Sequence, residues 1–124
     1  GFCLVGSEMC IRDRPTSTRS RRAFSESGGL SGAPLKKRSL EIIRLVYKRA
    51  GNNYPIVGVG GIDGPQSAWD AITSGATLLQ LYSALVFNGP AVVKKTIRGL
   101  KRRLQQEGIV NLHDAIGIFS DNNR

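Results

Sequence analysis

The 124-residue sequence has few of the residues on which several common classes of protein depend. It has two cysteines, one histidine and 6% aromatic residues. Cys3 and Cys10 form neither a disulfide framework nor a paired CxxC motif, which argues against zinc and favours a reduced setting. No apolar run approaches the ~18 to 20 residues that cross a bilayer, and none forms the ~7 to 15 residue core of a signal peptide. We therefore expect neither feature in this sequence.

Acidic residues are also scarce, with 9 Asp and Glu against 18 Lys and Arg, so the formal net charge is +9. Clustered cations can bind nucleic acid by releasing counterions from phosphates. The densest cluster alternates with Val93, Ile97, Leu100 and Leu104, whose spacing is that of one helix face. We interpret the cations as the solvated side of that helix, and a small basic nucleic-acid-binding module remains a less favoured alternative. The cations are Lys94, Lys95, Arg98, Lys101, Arg102 and Arg103.

The ends of the chain differ in composition from its middle. Residues 1–14 resemble translated sequencing-adapter DNA, and we predict that they are a non-native leader. Residues 15–118 are predicted to form the domain, and residues 119–124 a polar tail. Within the domain, the segment 15–34 has the composition of a loop and ends in a glycine-rich cluster, 28–32.

Helix and strand signals alternate from Ser39 onward. The order is helix, strand, helix, strand, helix, with connections that suit parallel βαβ crossovers. Two strands alone make a marginal sheet with unpaired edges, so the chain either oligomerises through those edges or, as we expect, is part of a larger α/β domain. The predicted elements are a helix capped by Ser39 and ended by Gly51, a strand over 54–59, a helix from Pro65 to Gly75, a strand over 77–82, a turn or short helix over 83–89, a basic helix from Pro90 to Gly108 and a final short helix from Asn111.

Three loops with glycine or hydroxyl residues lie where parallel α/β proteins bind ligands. They are the cluster 28–32, the turn 58–61 after the first strand and the end of the second strand at 81–83. Backbone without side chains can approach a phosphate closely, so we expect a phosphate or a phosphate-bearing cofactor. A Rossmann site is disfavoured, because the third glycine of its motif is replaced by Asp63 and no acidic residue lies near position 80.

Four sequence motifs follow one another along the chain, GGLSGAPL at 28–35, PIVGVGGI at 55–62, GATLLQLYS at 75–83 and DAIG at 114–117. In order and spacing they resemble the C-terminal third of dihydroorotate dehydrogenase. The resemblance covers roughly residues 14–118, and the first and last motifs resemble the quinone-reducing class 2. It implies a (β/α)8 barrel, of which this chain holds helix 6, strand 7, helix 7, strand 8 and helix 8.

The resemblance also implies an FMN cofactor and assigns residues to it. Gly32 and Gly61 would approach FMN through their backbones, and Tyr82 and Ser83 would bind its phosphate. The neighbours of the cofactor would be Ser31, Gly60 and Leu81. A different FMN- or phosphate-binding TIM-barrel enzyme is the main alternative.

The implied activity is the oxidation of dihydroorotate to orotate in pyrimidine (UMP) biosynthesis, with a quinone as electron acceptor. The family's catalytic base and pyrimidine ligands lie outside this chain, so we expect the chain alone to be inactive and to hold FMN weakly. A missing N-terminal region would attach the enzyme to the mitochondrial inner membrane or, in a bacterium, to the cytoplasmic membrane. Trp69, Asp63 and His113 are interpreted as structural residues.

Overall fold

The computed structural model describes residues 31–120, so the predicted leader and most of the predicted tail lie outside the described residues. Within residues 31–120 there are three short 3-10 helices, at Ala33–Leu35, Gly51–Asn53 and Leu112–Ala115. The predicted α/β order is confirmed, and the segment after the second strand, for which the sequence predicts a turn or a short helix, forms a short helix. The main elements are α1 (Lys36–Ala50), β1 (Val57–Val59), α2 (Pro65–Thr73), β2 (Leu78–Gln80), α3 (Ser83–Asn88) and α4 (Ala91–Gln106).

The two strands form a parallel sheet in which Val57 pairs with Leu78 and Val59 with Gln80. Each strand is shorter than predicted, because only the residues that pair with the neighbouring strand are part of the sheet. Gly58, in the middle of β1, is buried against α1 and the start of β2. A β-carbon there would lie 2.9 Å from the Ala76 Cβ and 3.2 Å from the Ile43 Cδ1. The glycine thus lets α1 pack directly on the sheet.

The core has two connected parts. The first lies between α1 and the sheet and is centred on Ile43, which is fully buried. The second is centred on Trp69, which is 3% exposed and packs with Ile72 and Ala115. The predicted structural role of Trp69 is therefore confirmed. No helix within residues 31–120 combines the length and hydropathy of a membrane span.

The start of α1 differs from the prediction. The helix begins at Lys36, after the turn Ala33–Leu35, and Ser39 lies inside the helix, not at its cap. Pro34 fixes the backbone of that turn, so the chain is already wound before Ser39 is reached. The Ser39 side chain is left to bond with another element.

The predicted inward face of α4 is confirmed at Leu100 and Leu104, which pack against the core, and is wrong in the first half of the helix. Val93 and Ile97 are 38% and 62% exposed, whereas Val92 and Thr96 are buried. The cause is a close crossing with α2 at Gly99, where a β-carbon would overlap the ring of Pro65. This crossing turns the helix so that the side of Val92 and Thr96 faces inward.

The cations of α4 are exposed, as predicted, except for Arg103. The Arg103 guanidinium carbon lies 5.6 Å from the centre of the Trp69 ring, and its Nε lies 2.9 Å from a carboxylate oxygen of Glu107. This arginine therefore covers the second core cluster, and the other five cations face solvent.

Candidate functional site

All seven residues predicted to contact a cofactor line one cavity of about 570 Å³. The cavity lies at the carboxyl ends of β1 and β2, where parallel α/β sheets bind ligands. Three segments, 31–35, 59–63 and 80–84, form most of its wall. The predicted residues are Ser31, Gly32, Gly60, Gly61, Leu81, Tyr82 and Ser83.

The turn after β1 is built from two glycines with positive φ, 99° at Gly60 and 72° at Gly61. A β-carbon on Gly61 would lie 2.6 Å from the Lys36 Cα and 2.7 Å from the Lys36 nitrogen. Those atoms are backbone and cannot move aside as a side chain can. Glycine is therefore required at position 61 because the turn packs closely on the first residue of α1, a contact that the sequence does not show.

Ser39 lies behind the cavity wall, and its contact with the end of β1 is one that sequence reasoning missed. Its hydroxyl donates a 2.6 Å hydrogen bond to the carbonyl of Val59, the last residue of β1, and its side chain is 2% exposed. A signal was present in the spacing, because Leu35, Ser39 and Ile43 lie four residues apart and share the buried face. A polar residue on such a face needs a hydrogen-bond partner in another element.

The opposite wall joins the loop before α1 to the end of β2. The Ser83 hydroxyl donates to the Ser31 hydroxyl oxygen at 3.0 Å. Gly32 has φ 82°, and a β-carbon there would lie 3.7 Å from the Ser83 Cβ. Two hydroxyl groups and a glycine therefore meet at this side of the cavity.

The charge of the cavity wall limits how an anion could be held. Among the described residues that line it, Asp63 is the only charged one and none is basic. The Asp63 carboxylate accepts a 2.7 Å hydrogen bond from the Ser67 hydroxyl, which agrees with the predicted turn role. A phosphate here would be bound by backbone N–H groups and hydroxyls rather than by cationic side chains.

The mouth of the cavity is apolar and open. Tyr82 is 77% exposed and Phe87, which also lines the cavity, is 84% exposed. Such exposure of large apolar side chains is typical of surfaces that contact a ligand or further protein.

His113 lies away from this cavity, beside a smaller cleft of about 160 Å³ that Tyr47 and Thr77 also line. Its side chain is exposed. Within residues 31–120 no group of three or more His, Cys, Asp or Glu side chains is placed to hold a metal ion.

The helix order, the parallel strands and the strand-end cavity are those of an α/β protein with its ligand-binding edge, and they are consistent with part of a (β/α)8 barrel. A comparison with protein families then identifies the family of this chain. The family model for dihydroorotate dehydrogenase matches residues 4–104, and the chain belongs to that family. The match begins inside the segment 1–14, whose non-native origin stays a prediction.

Curated relatives agree with this family. The chain is 47% identical over 100 residues to the dihydroorotate dehydrogenase (quinone) of Streptomyces coelicolor, covering 81% of this chain and 27% of the relative. It is 44% identical over 95 residues to the protein of that name from Trichodesmium erythraeum, covering 77% and 25%. The predicted resemblance to the quinone-dependent class is thereby confirmed.

A solved structure agrees with the fold. Ligand-free DHODH from Eimeria tenella has a TM-score of 0.81 and 35% identity, covering 93% of this chain and 31% of that one. The predicted partial barrel is confirmed. The chain spans about a quarter to a third of the length of these relatives.

Proposed function

We propose that this chain supplies the C-terminal, cofactor-binding part of a quinone-dependent dihydroorotate dehydrogenase. The complete enzyme would oxidise dihydroorotate to orotate in pyrimidine (UMP) biosynthesis and pass the electrons through FMN to a quinone. The observation that carries the proposal is the convergence of Gly32, Gly61 and Ser83 on one strand-end cavity.

The residues around the cavity fit the phosphate end of FMN. On one side the wall is the turn of Gly60 and Gly61, both with positive φ, and on the other side the Ser31 and Ser83 hydroxyls lie 3.0 Å apart. A volume of about 570 Å³ is within the range of ligand pockets. When bound, the flavin would supply the hydride-accepting ring of the reaction.

Each predicted site residue has a role in this proposal. Gly32 and Gly61 would contact FMN through backbone atoms, while Tyr82 and Ser83 would hydrogen-bond its phosphate. The immediate neighbours would be Ser31, Gly60 and Leu81. None of these side chains is a catalytic base, so their proposed work is to bind and orient the cofactor.

The rest of the enzyme would supply the proton-abstracting base and the groups that bind the pyrimidine. We therefore expect the 124-residue chain by itself to be inactive and to hold FMN more weakly than micromolar. Its proposed partners in the complete enzyme are dihydroorotate, orotate and a quinone.

The proposed location is a membrane surface, reached through an N-terminal region of the complete enzyme. It would be the mitochondrial inner membrane in a eukaryote and the cytoplasmic membrane in a bacterium. Nucleic acid is not among the proposed partners. Tight binding of DNA with a steep dependence on salt would contradict that part of the proposal.

The proposed cofactor site can be tested on the chain by NMR. We would titrate ¹⁵N-labelled protein with FMN and, separately, with riboflavin, which has the same ring system and no phosphate. FMN should shift the amide signals of Gly32, Gly61 and Ser83, and riboflavin should bind at least about tenfold more weakly, because charge-assisted hydrogen bonds are lost. Equal binding of the two, or no FMN response at these amides, would refute the proposed site.

A further inference from the structure

The hydrogen bond from Ser39 joins α1 to the strand end that carries the glycine turn. The donor and acceptor residues are 20 positions apart in sequence, and the oxygen–oxygen distance is 2.6 Å. The accepting carbonyl belongs to Val59, whose next residue is Gly60. The bond therefore acts on the last peptide group before the turn.

A second set of contacts holds the same turn from the same helix. A β-carbon on Gly60 would lie 3.6 Å from the Ser39 Oγ, and Gly61 packs on the Lys36 backbone. Both glycines have positive φ, and glycine also has the largest backbone freedom of any residue. A turn of this composition keeps one conformation only where neighbouring groups restrain it.

We propose that Ser39 is a positioning residue of the candidate site, which fixes the Gly60–Gly61 turn in the conformation that binds a phosphate-bearing cofactor. The inference rests on the proposed function. Ser39 does not line the cavity, so it acts through the Val59 carbonyl rather than by touching a ligand. Without the hydroxyl, that carbonyl loses its side-chain partner and the turn gains freedom that binding must then remove.

The chain offers a matched control in Ser120. Its side chain is 4% exposed, and its hydroxyl donates a 2.9 Å hydrogen bond to the carbonyl of Ser74, away from the cavity. Ser39→Ala and Ser120→Ala each remove one buried hydroxyl that bonds a distant backbone carbonyl. A purely structural role predicts that the two variants behave alike.

The test compares FMN dissociation constants by NMR in the wild-type chain and three variants. Ser39→Ala should raise the Kd roughly threefold to tenfold, the range expected for one lost hydrogen bond. Ser120→Ala should leave the Kd within about twofold, although both alanine variants should lower Tm by similar amounts. Ser39→Thr, which keeps a hydroxyl donor, should restore wild-type affinity.

The outcomes separate this inference from the proposed function. If wild-type protein shows no FMN response, the proposed function fails and this inference fails with it. If wild type responds and Ser39→Ala has an unchanged Kd, or Ser120→Ala weakens binding equally, only the role of Ser39 is wrong. If Ser39→Ala does not fold, Ser39→Cys replaces it in the test, because cysteine is close to serine in volume and is only a weak hydrogen-bond donor. A raised Kd for FMN in Ser39→Cys then supports the role of Ser39, and a Kd equal to that of the wild type contradicts it.

Discussion

Replacing Gly61 by alanine tests the packing of the glycine turn on α1. The new β-carbon would lie 2.6 Å from the Lys36 Cα and 2.8 Å from its Cβ, distances that real β-carbons essentially never show. Since the nearest of these atoms are backbone, either α1 or the turn must shift, at a cost of about 1–3 kcal/mol. A φ of 72° adds roughly 1–2 kcal/mol for an L-residue. Gly61→Ala should therefore lower the free energy of unfolding by about 2–5 kcal/mol.

The control for Gly61→Ala is Gly64→Ala, which lies just after the same turn in the sequence. Gly64 has an extended backbone with φ 173°, and nothing lies within 4 Å of the position of a β-carbon. Its substitution should change stability by less than about 1 kcal/mol, the scale of a helix-cap preference. Urea unfolding followed by far-ultraviolet circular dichroism measures both. Equal losses in the two variants, or a loss below about 1 kcal/mol for Gly61→Ala, would refute the packing argument.

Two further substitutions test other contacts. Gly99→Ala should lower the free energy of unfolding by about 1–3 kcal/mol, because the added methyl group meets the ring of Pro65 at the crossing of α4 and α2. The control Arg98→Ala, at an exposed neighbouring residue, should change the free energy of unfolding by less than about 0.5 kcal/mol. Similar losses in the two variants would contradict the close crossing. Ser83→Ala should weaken FMN binding about tenfold or more through loss of a hydrogen bond to a charged group, with Ser83→Thr close to wild type. Unchanged FMN affinity in Ser83→Ala, measured by NMR titration, would remove Ser83 from the site.

The order of elements and the place of the cavity were predictable from the sequence. Pro65 at the first position of α2 and Gly108 just after α4 are local signals, and both stand where predicted. Parallel strands place their carboxyl ends together, so loops that follow successive strands meet even when they are far apart in sequence. That rule brings Gly61 and Ser83 to one cavity.

Features that depend on contacts between distant residues were not predictable. In the first half of α4 the contact of Gly99 with Pro65 sets the inward face, so Val93 and Ile97 are exposed although the spacing predicts them on the buried face. Periodicity identifies a helix face but does not say which neighbouring helix will cover it. Ser39 illustrates the same limit, since its partner, the Val59 carbonyl, lies on another element.

The central claim is that the Gly60–Gly61 turn and the segment at Ser83 after β2 bind one ligand together. The most direct measurement of this claim is the FMN-dependent shift of the Gly61 and Ser83 amide signals. The account predicts that both signals shift in a single titration and yield the same dissociation constant. A response of only one amide, or two different constants, would show that the turns do not share a ligand.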